Sequence, residues 1–312
     1  MGIHGALVID KPAQITSHDA VVAVRRLLGE KRIGHLGTLD PFATGVLVLL
    51  IGQATRLARF YREREKTYRG IIRFGYATDT MDRTGRPVSA DTNPVLDQDA
   101  VRRSFSDFIG SYEQRPPIFS AKKVSGVPAH RLARKGKTVD LARVPVHIHR
   151  LDLLWLEGPR AGFEARVSSG TYIRSLVNDL GERLGIGAHV EELRRTSVGE
   201  FGEQQSISLA QLEERLRAGA SAIITMEELL AEFPAVALND SEAARVAHGN
   251  DIDLQSESDR VRLLNPAAQL IGIAERVAGS QFHPVVVVAD RLAGAEVRPE
   301  AATPQDREAR VS

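Results

Sequence analysis

The sequence predicts an α/β chain of the α+β type, in which a large mixed domain over residues 1–232 precedes a small β-rich domain over residues 233–291. In the first part, segments with the 3.6-residue period of amphipathic helices alternate with short apolar segments typical of strands. From Phe233 on, short strand-like segments follow one another closely. The 312 residues, 43% of them hydrophobic and 26% charged, suffice for one sizeable domain and a smaller one.

The first predicted elements are a strand and a helix. The strand "GALVIDKP" stops at Pro12, because proline has no amide hydrogen to donate to a sheet. Thr16 or Ser17 then caps a helix that ends at Gly29. The apolar residues of this helix fall on one face: Val21, Val24, Leu27 and Leu28. A glycine-rich loop follows and leads into an apolar strand over 46–51.

The rest of the large domain alternates in the same way. The patterns predict a helix over 53–65, a strand in "TYRGIIRFGYATDT" and a helix over 99–109. A long Gly-, Pro- and Lys-rich loop is predicted over about 116–140. It precedes a strand in "GFEARVSSG" and a helix in "TYIRSLVNDLGERLG".

The small domain is predicted from four short segments, "VALNDSEAARVAHGN", "VRLLNP", "QLIGIAERV" and "HPVVVV". Their close spacing is typical of a small β-barrel or sandwich. Residues 292–312 are polar and rich in proline and alanine, so the sequence predicts a disordered tail there.

The composition argues against several classes of function. The chain has no cysteine, which excludes disulfides, thiolate metal sites and cysteine nucleophiles. No run reaches the roughly 18 apolar residues of a membrane helix, and the start lacks the pattern of a secretory signal, so we expect residence in the cytoplasm. The Walker, H-E-x-x-H and G-x-S-x-G motifs are absent, and the nine histidines show no ligand spacing, so no metal site is predicted.

Positive charge is concentrated in two stretches, although the formal net charge of the chain is only +1. Residues 56–73 include seven basic and two acidic side chains, and residues 122–137 include six basic side chains and no acid. Each stretch alone is compatible with a solvated helix face. Together they indicate a phosphate-binding surface.

The loop "GHLGTLDPFATGVLVLL", residues 34–50, places Asp40 between glycines and a proline. One interpretation is an Asx-type turn, in which the carboxylate accepts hydrogen bonds from its own backbone. However, Gly34, Gly37 and Gly45 give the backbone freedom at three places, which is more than one turn requires. The surroundings therefore favour a functional carboxylate.

This loop resembles the signature loop of the TruB-type tRNA pseudouridine synthases, which isomerise uridine 55 of the TψC loop to pseudouridine. Further segments of that family occur in the same order: "LVIDKP" before the loop, then "KTY" at 66–68, "FSAKK" at 119–123, "SSGTYIRSL" at 168–176 and "GAHVEELRR" at 187–195. The resemblance covers about residues 5–200. It implies the pseudouridine-synthase fold, a mixed and largely antiparallel sheet flanked by helices. The small C-terminal domain resembles the PUA-like RNA-binding domain in pattern.

The resemblance also implies roles for matched residues. Asp40 is the carboxylate that attacks the sugar or the base, or takes a proton from C2′. Arg174 is the cation that keeps the enclosed Asp40 ionised. Because the uridine lies inside a folded arm, it must be flipped out to react. The resemblance implies that Tyr68 stacks on the flipped uracil, that Tyr172 lines the pocket and that Leu193 forms one wall. It also implies that His35 enters the RNA stack.

The predicted loop over about 116–140 corresponds to a segment that clamps the RNA arm in this family. Its cations suit phosphate contacts, which we expect from Lys122, Lys123, Arg134 and Lys135. His130 stands where relatives commonly carry an aromatic residue, so we expect this loop to contact phosphates through its charges and do not expect stacking by an aromatic side chain there. The resemblance further implies a tRNA substrate, no cofactor, no membrane contact, and a monomer without an obligate protein partner.

Two other functions stay open on the sequence alone. A glycoside hydrolase could use an aspartate nucleophile, but it usually needs a second carboxylate. The other acids before Asp40 are Asp10, Asp19 and Glu30, and none lies in the loop. A non-catalytic RNA-binding protein would explain the cations and the small domain, but it would not require Asp40 and Arg174 together.

Overall fold

A computed structural model of the chain describes residues 2–120, 123–124, 127–128 and 141–288. The chain divides into two units, residues 1–230 and 231–312. Each unit has its own sheet and its own apolar core, as expected when a chain of this length splits into domains.

The first unit is built around a nine-stranded sheet. Its strands are β1 (Gly5–Lys11), β2 (Ile33–His35), β3 (Thr44–Ile51), β4 (Lys66–Phe74), β5 (Gly110–Gln114), β8 (Val144–Glu157), β9 (Arg160–Val167), β10 (Ala188–Val198) and β11 (Phe201–Gly202). Two short strands, β6 (Lys123–Val124) and β7 (Val127–Pro128), form a separate pair. The order across the large sheet is β1-β3-β10-β4-β9-β8-β5, with β2 beside β3 and β11 beside β10.

The direction of the strands confirms one expectation. Strands β3 and β10 run parallel, and the other pairs of this sheet run antiparallel. The sheet is therefore mixed and largely antiparallel, as the resemblance implied.

Five α-helices are described in the first unit. They are α1 (Ser17–Leu28), the short α2 (Ala58–Tyr61), α3 (Gln98–Asp107), α4 (Ile173–Arg183) and α5 (Leu209–Arg217). The prediction for α1 is confirmed: Thr16 and Asp19 form a reciprocal capping box, and Gly29 ends the helix with a φ of 65°.

The core of the first unit lies where α1 and α4 meet the central strands. Strand β3 is almost wholly buried, which explains its continuous apolar run. Val24 of α1 and Leu176 and Leu180 of α4 are 0% exposed, and burial of each such side chain stabilises the fold by roughly 1.5–3 kcal/mol. The Asp40 loop is thereby fixed between a packed helix and a buried strand.

The predicted helix over 53–65 was wrong over its last four residues. A 3₁₀ turn over Gly52–Leu57 leads into α2, which ends at Tyr61. Residues 62–65 are all charged, so a longer helix would have had no apolar face to bury there.

Five strands of the large sheet were missed, β2, β5, β8, β10 and β11, and the pair β6 and β7 lies within the segment 116–140 that was predicted as a loop. In β10, the buried Arg195 interrupts the apolar pattern, and β8 exposes Leu154 and Trp155, so neither strand shows the alternation expected of a half-buried strand. Strand β5 is short and polar, and β2 and β11 have only three and two residues.

The second unit is β-rich, as predicted. Its strands are β12 (Ala235–Ala237), β13 (Ile252–Asp253), β14 (Arg260–Leu264), β15 (Leu270–Ala278) and β16 (Gln281–Val287), in the order β12-β14-β15-β16-β13. Its core includes Val246, Val261, Leu263 and Phe282.

The segment "VALNDSEAARVAHGN" was predicted as a strand throughout, and this was wrong. Helix α6 (Asp240–Ala247) occupies its middle, because Asn239 and Glu242 form a capping box that starts a helix. The predicted tail over 292–312 lies outside the described residues. The assignment of catalysis to the first domain and RNA binding to the second stays a prediction.

Candidate active site

The loop that carries Asp40 joins β2 to β3, and β10 contacts it through the Arg195 side chain and contacts the start of β3 at Gly45. The Arg195 guanidinium donates to the Gly37 carbonyl at 3.0 Å. Gly45 has a φ of 100°, and a Cβ there would lie 2.2 Å from the carbonyl oxygen of Arg195. No side chain fits so close to another backbone, so glycine is required at this crossing.

Arg174, the second residue of α4, pairs with Asp40 through two hydrogen bonds. Its Nε donates to Oδ2 and its Nη2 to Oδ1 of Asp40, both at 2.9 Å. The remaining donors reach the carbonyl oxygens of Thr80 and Phe119, also at 2.9 Å. Within the described ranges, the Asp40 carboxylate accepts no hydrogen bond from its own turn, which argues against a purely turn-forming role.

A second carboxylate contacts Arg174, and the sequence-based prediction missed it. Oδ2 of Asp82 lies 3.5 Å from Nη1 of Arg174, and the Asp82 side chain is 5% exposed. Its Oδ1 accepts hydrogen bonds from the Thr84 amide at 2.9 Å and the Thr80 hydroxyl at 2.8 Å. The run "TDTMDRTG" at 78–85 does signal a carboxylate-rich turn, but nothing in it points to α4.

This network determines the charge of Asp40. Burial raises the pKa of Asp40 above its ordinary value, because the carboxylate loses hydration. The Arg174 guanidinium lowers that pKa, and the negative charge of Asp82 raises it. Ionisation of Asp40 at neutral pH therefore depends on Arg174.

Asp40 and Arg174 line a pocket of about 240 Å³. Tyr68, Tyr172 and Leu193 line the same pocket, so the structure brings together five residues that the resemblance had singled out. Tyr68 is 8% and Leu193 7% exposed. Burial raises the pKa of Tyr172, so its phenol is protonated at neutral pH.

Two buried cations also line this pocket, Lys66 and Arg195. Lys66 belongs to the basic stretch over 56–73 that was predicted to bind phosphate, but a place in the pocket had been predicted for neither residue. Lys66 Nζ donates to the Arg64 carbonyl at 2.6 Å and the Ser169 hydroxyl at 2.9 Å, and burial lowers the pKa of Lys66 to about 8. Arg195 is 1% exposed and donates to the Val46 carbonyl at 2.8 Å. Lys66 belongs to the segment "KTY" and Arg195 to "GAHVEELRR", both of which resemble the family. The sequence does not show whether such a cation supports the fold or contacts the substrate.

His35 is not among the residues that line the pocket. It lies in β2, opposite Leu49 of β3. Its buried Nδ1 has no hydrogen-bond partner within the described part of the chain. Burial lowers the pKa of His35, so the ring is neutral at pH 7.

The predicted phosphate contacts fall largely on residues that the structure does not describe. Lys122, Arg134, Lys135 and His130 lie outside the described residues, and of Lys123 only the backbone is described, in β6.

Family comparisons match most of the chain. The TruB family pseudouridylate synthase N-terminal domain matches residues 25–173. The tRNA pseudouridylate synthase B C-terminal domain matches residues 174–241, and the C-terminal region of pseudouridine synthase II TruB matches residues 234–288. The chain belongs to the TruB family.

TruB relatives match the chain over nearly their full length. The tRNA pseudouridine synthase B of Solibacter usitatus (strain Ellin6076) is 44% identical over 294 residues, which cover 91% of this chain and 99% of that protein. The protein of the same name from Thermobifida fusca (strain YX) is 42% identical, and the match covers 91% of this chain and 98% of that protein.

Solved structures confirm the expected fold class. A chain of a Cbf5-Nop10-Gar1 complex is 26% identical with a TM-score of 0.71, and the match covers 92% of this chain and 86% of that chain. A chain of an H/ACA RNP bound to a substrate RNA containing 2'-deoxyuridine is 24% identical with a TM-score of 0.70, over the same shares of both chains. At that identity the second likeness concerns the fold alone.

Two further properties of the TruB chain can be stated for its described residues. No group of three or more metal-ligating His, Asp or Glu side chains occurs among them. Their helices are all too short or too polar to cross a bilayer.

Proposed function

We propose that this protein isomerises uridine 55 in the TψC loop of tRNA to pseudouridine. One observation carries the proposal: a carboxylate bonded by both oxygens to a buried arginine lines a pocket whose other walls include two tyrosines and a leucine. Membership of the TruB family and relatives named tRNA pseudouridine synthase B support it.

The reaction needs a carboxylate and no group from outside. The N1–C1′ bond breaks, the base turns, and a C5–C1′ bond forms, while C5 loses a proton and N1 gains one. Asp40 is the group that we assign to attack the sugar or the base, or to remove the C2′ proton. Its side chain is 34% exposed although Arg174 holds both its oxygens, so a substrate in the pocket can reach it.

Arg174 keeps this carboxylate charged and oriented. Its own side chain is 4% exposed, so it acts from behind Asp40. Asp82 and the carbonyl oxygens of Thr80 and Phe119 hold the guanidinium in turn. A guanidinium fixed on four sides presents Asp40 in one geometry, which is what a near-attack arrangement requires.

A uridine within the TψC loop must leave the stack to enter this pocket. We assign stacking on the flipped uracil to Tyr68, and the lining of the base site to Tyr172 and Leu193. His35 has a neutral ring, which suits the proposed entry into the RNA stack near the displaced base.

Affinity for the RNA arm would come from phosphate contacts. We assign these to the basic stretch over 56–73 and to Lys122, Lys123, Arg134 and Lys135, and further RNA binding to the second unit. We expect the enzyme to act as a monomer, without an obligate protein partner, on tRNA in the cytoplasm.

The two rival functions fit the described residues less well. For a glycoside hydrolase, Asp82 would have to protonate the leaving oxygen, but it is 5% exposed and does not line the pocket. For a pure RNA binder, a buried arginine between two carboxylates would cost desolvation energy and contribute nothing to affinity.

Tritium release from an unmodified tRNA transcript labelled at C5 of uridine tests the proposal. The synthase releases tritium, whereas a binder or a glycoside hydrolase does not. The matched control is a transcript with cytidine at position 55, which should release none. Tritium release from both transcripts alike, or from neither, would contradict the proposed substrate position or the reaction.

A further inference from the structure

A buried amide outside the pocket is bonded to one of the pocket's walls. Gln114, the last residue of β5, is 0% exposed and does not line the pocket. Its Oε1 accepts from the Tyr172 amide at 2.8 Å, and its Nε2 donates to the Tyr172 carbonyl at 3.1 Å. Nε2 also donates to the Tyr112 hydroxyl at 2.6 Å. One side chain therefore holds both backbone groups of a pocket residue.

Tyr172 needs such a partner because it stands at the start of α4. It is the N-cap residue, with extended backbone angles and no side-chain cap. The amides at a helix start have no partner within the helix, so Gln114 supplies the Tyr172 amide with an acceptor. Arg174 follows two residues later, so the contact between Gln114 and Tyr172 also fixes the position of the Arg174 backbone, from which the guanidinium extends.

Further contacts tie the segment after Gln114 to α4. The Arg115 carbonyl accepts from the Ser175 hydroxyl at 2.7 Å, and the Phe119 carbonyl accepts from Nη2 of Arg174 at 2.9 Å. The Tyr112 hydroxyl lies 3.4 Å from Oδ2 of Asp179, also on α4. The end of β5 thus supports the first two turns of the helix that carries Arg174.

We propose that Gln114 is a positioning residue of the isomerisation, which places the Tyr172 ring and the Arg174 guanidinium against Asp40. This inference rests on the proposed function. A displacement of about 1 Å at a reacting group can cost about 10²-fold in rate. Gln114→Ala should therefore slow single-turnover tritium release by about 10–100-fold, with the Kd for tRNA unchanged, because Gln114 touches no surface that RNA can reach.

The Gln114→Glu variant supplies a second measurement, the pH dependence of its rate, which would not change if Gln114 only stabilised the fold. The protonated carboxyl can accept from the Tyr172 amide and donate to its carbonyl, whereas the ionised form has no donor for that carbonyl. Burial raises the pKa of such a carboxyl. The rate relative to wild type at the same pH should therefore recover as the pH falls.

Val101→Ala is the matched control, since it shortens a core side chain of α3 that is 1% exposed and, being aliphatic, makes no hydrogen bond in this network. All variants are compared at a temperature where circular dichroism shows them folded. If Gln114→Ala keeps the rate of Val101→Ala, or if the relative rate of Gln114→Glu does not change with pH, the inference is overturned. If wild type releases no tritium, the proposed function itself fails.

Discussion

The two units of the chain bury different kinds of side chain. Among the described residues, all buried polar and charged side chains belong to the first unit: Lys11, Ser17, Lys66, Thr78, Asp82, Ser104, Gln114, Ser120, Arg174, Ser175, His189 and Arg195. In the second unit, the described buried side chains are apolar, and ion pairs such as Arg260–Glu275 lie at the surface.

We propose that this difference reflects a division between chemistry in the first unit and RNA binding in the second. Burial of a charge costs several kcal/mol unless partners compensate for it, so such charges persist where the function needs a fixed ion in a poorly hydrated place. The first unit meets that description around Arg174, and the second does not. Substitutions around Arg174 should therefore change the rate or its pH dependence, and changes in the second unit should affect affinity or almost nothing.

Among changes that leave Asp40 in place, Arg174→Met has the largest expected effect. It removes the cation that opposes the raised pKa of Asp40, so less of the carboxylate is ionised at neutral pH. The single-turnover rate should fall by about 10²–10⁴-fold, and the acid limb of its pH profile should move to higher pH. The control is Arg183→Met on the same helix, whose side chain is 60% exposed; equal losses in both variants would refute a specific role for Arg174.

Asp82→Asn should have the next largest effect and the opposite shift in pH. The loss of its charge weakens the hold on Arg174, so the rate should fall by about 10–100-fold. Because Asp82 raises the pKa of Asp40, the acid limb should move to lower pH. Asp79→Asn, an exposed carboxylate of the same turn, serves as control. A shift of the limb to higher pH would show that Asp82 does not act through its charge on Asp40.

Removal of residues 233–312 tests whether the second unit contributes to tRNA binding rather than to the reaction. The matched catalytic segments all precede this point, so tRNA binding should weaken by at least about tenfold, or roughly 1.4 kcal/mol, while slow conversion persists at saturating tRNA. Filter binding and single-turnover assays measure the two effects. A folded truncation with no conversion at all would indicate that the second unit helps to build the pocket.

The smallest effect is expected from Arg260→Gln in the second unit. The side chains of Arg260 and Glu275 are 53% and 32% exposed, and exposed ion pairs contribute at most about 1 kcal/mol. Urea unfolding should show a change in unfolding free energy below that value. A loss of several kcal/mol would mean that this unit also depends on its ion pairs.

The parts of the site that could be predicted from the sequence are those determined by residues close together in the chain. The glycines and the proline around Asp40 predicted a constrained loop, and the capping residues Thr16 and Gly29 predicted α1 because both act within one turn. The link from Asp40 to Arg174 came from family resemblance, since no local rule joins residues 134 positions apart.

The parts that could not be predicted depend on tertiary contacts. The sequence shows Asp82 only as an ordinary turn residue, and Gln114 ends a strand that was not predicted; the fold brings both to α4. Arg195 obscured β10, because a buried cation bonded to carbonyl oxygens breaks the apolar pattern by which strands are recognised. Long-range polar contacts of this kind leave no periodic signal.

The most direct test of the central claim is tritium release by Asp40→Asn, measured together with tRNA binding. Asparagine keeps the size of the side chain and favours the same turns, but it carries no charge. If Asp40 performs the chemistry, no pseudouridine should form while the Kd for tRNA stays near that of wild type, because the phosphate contacts lie elsewhere. Near-normal turnover by Asp40→Asn would contradict the account.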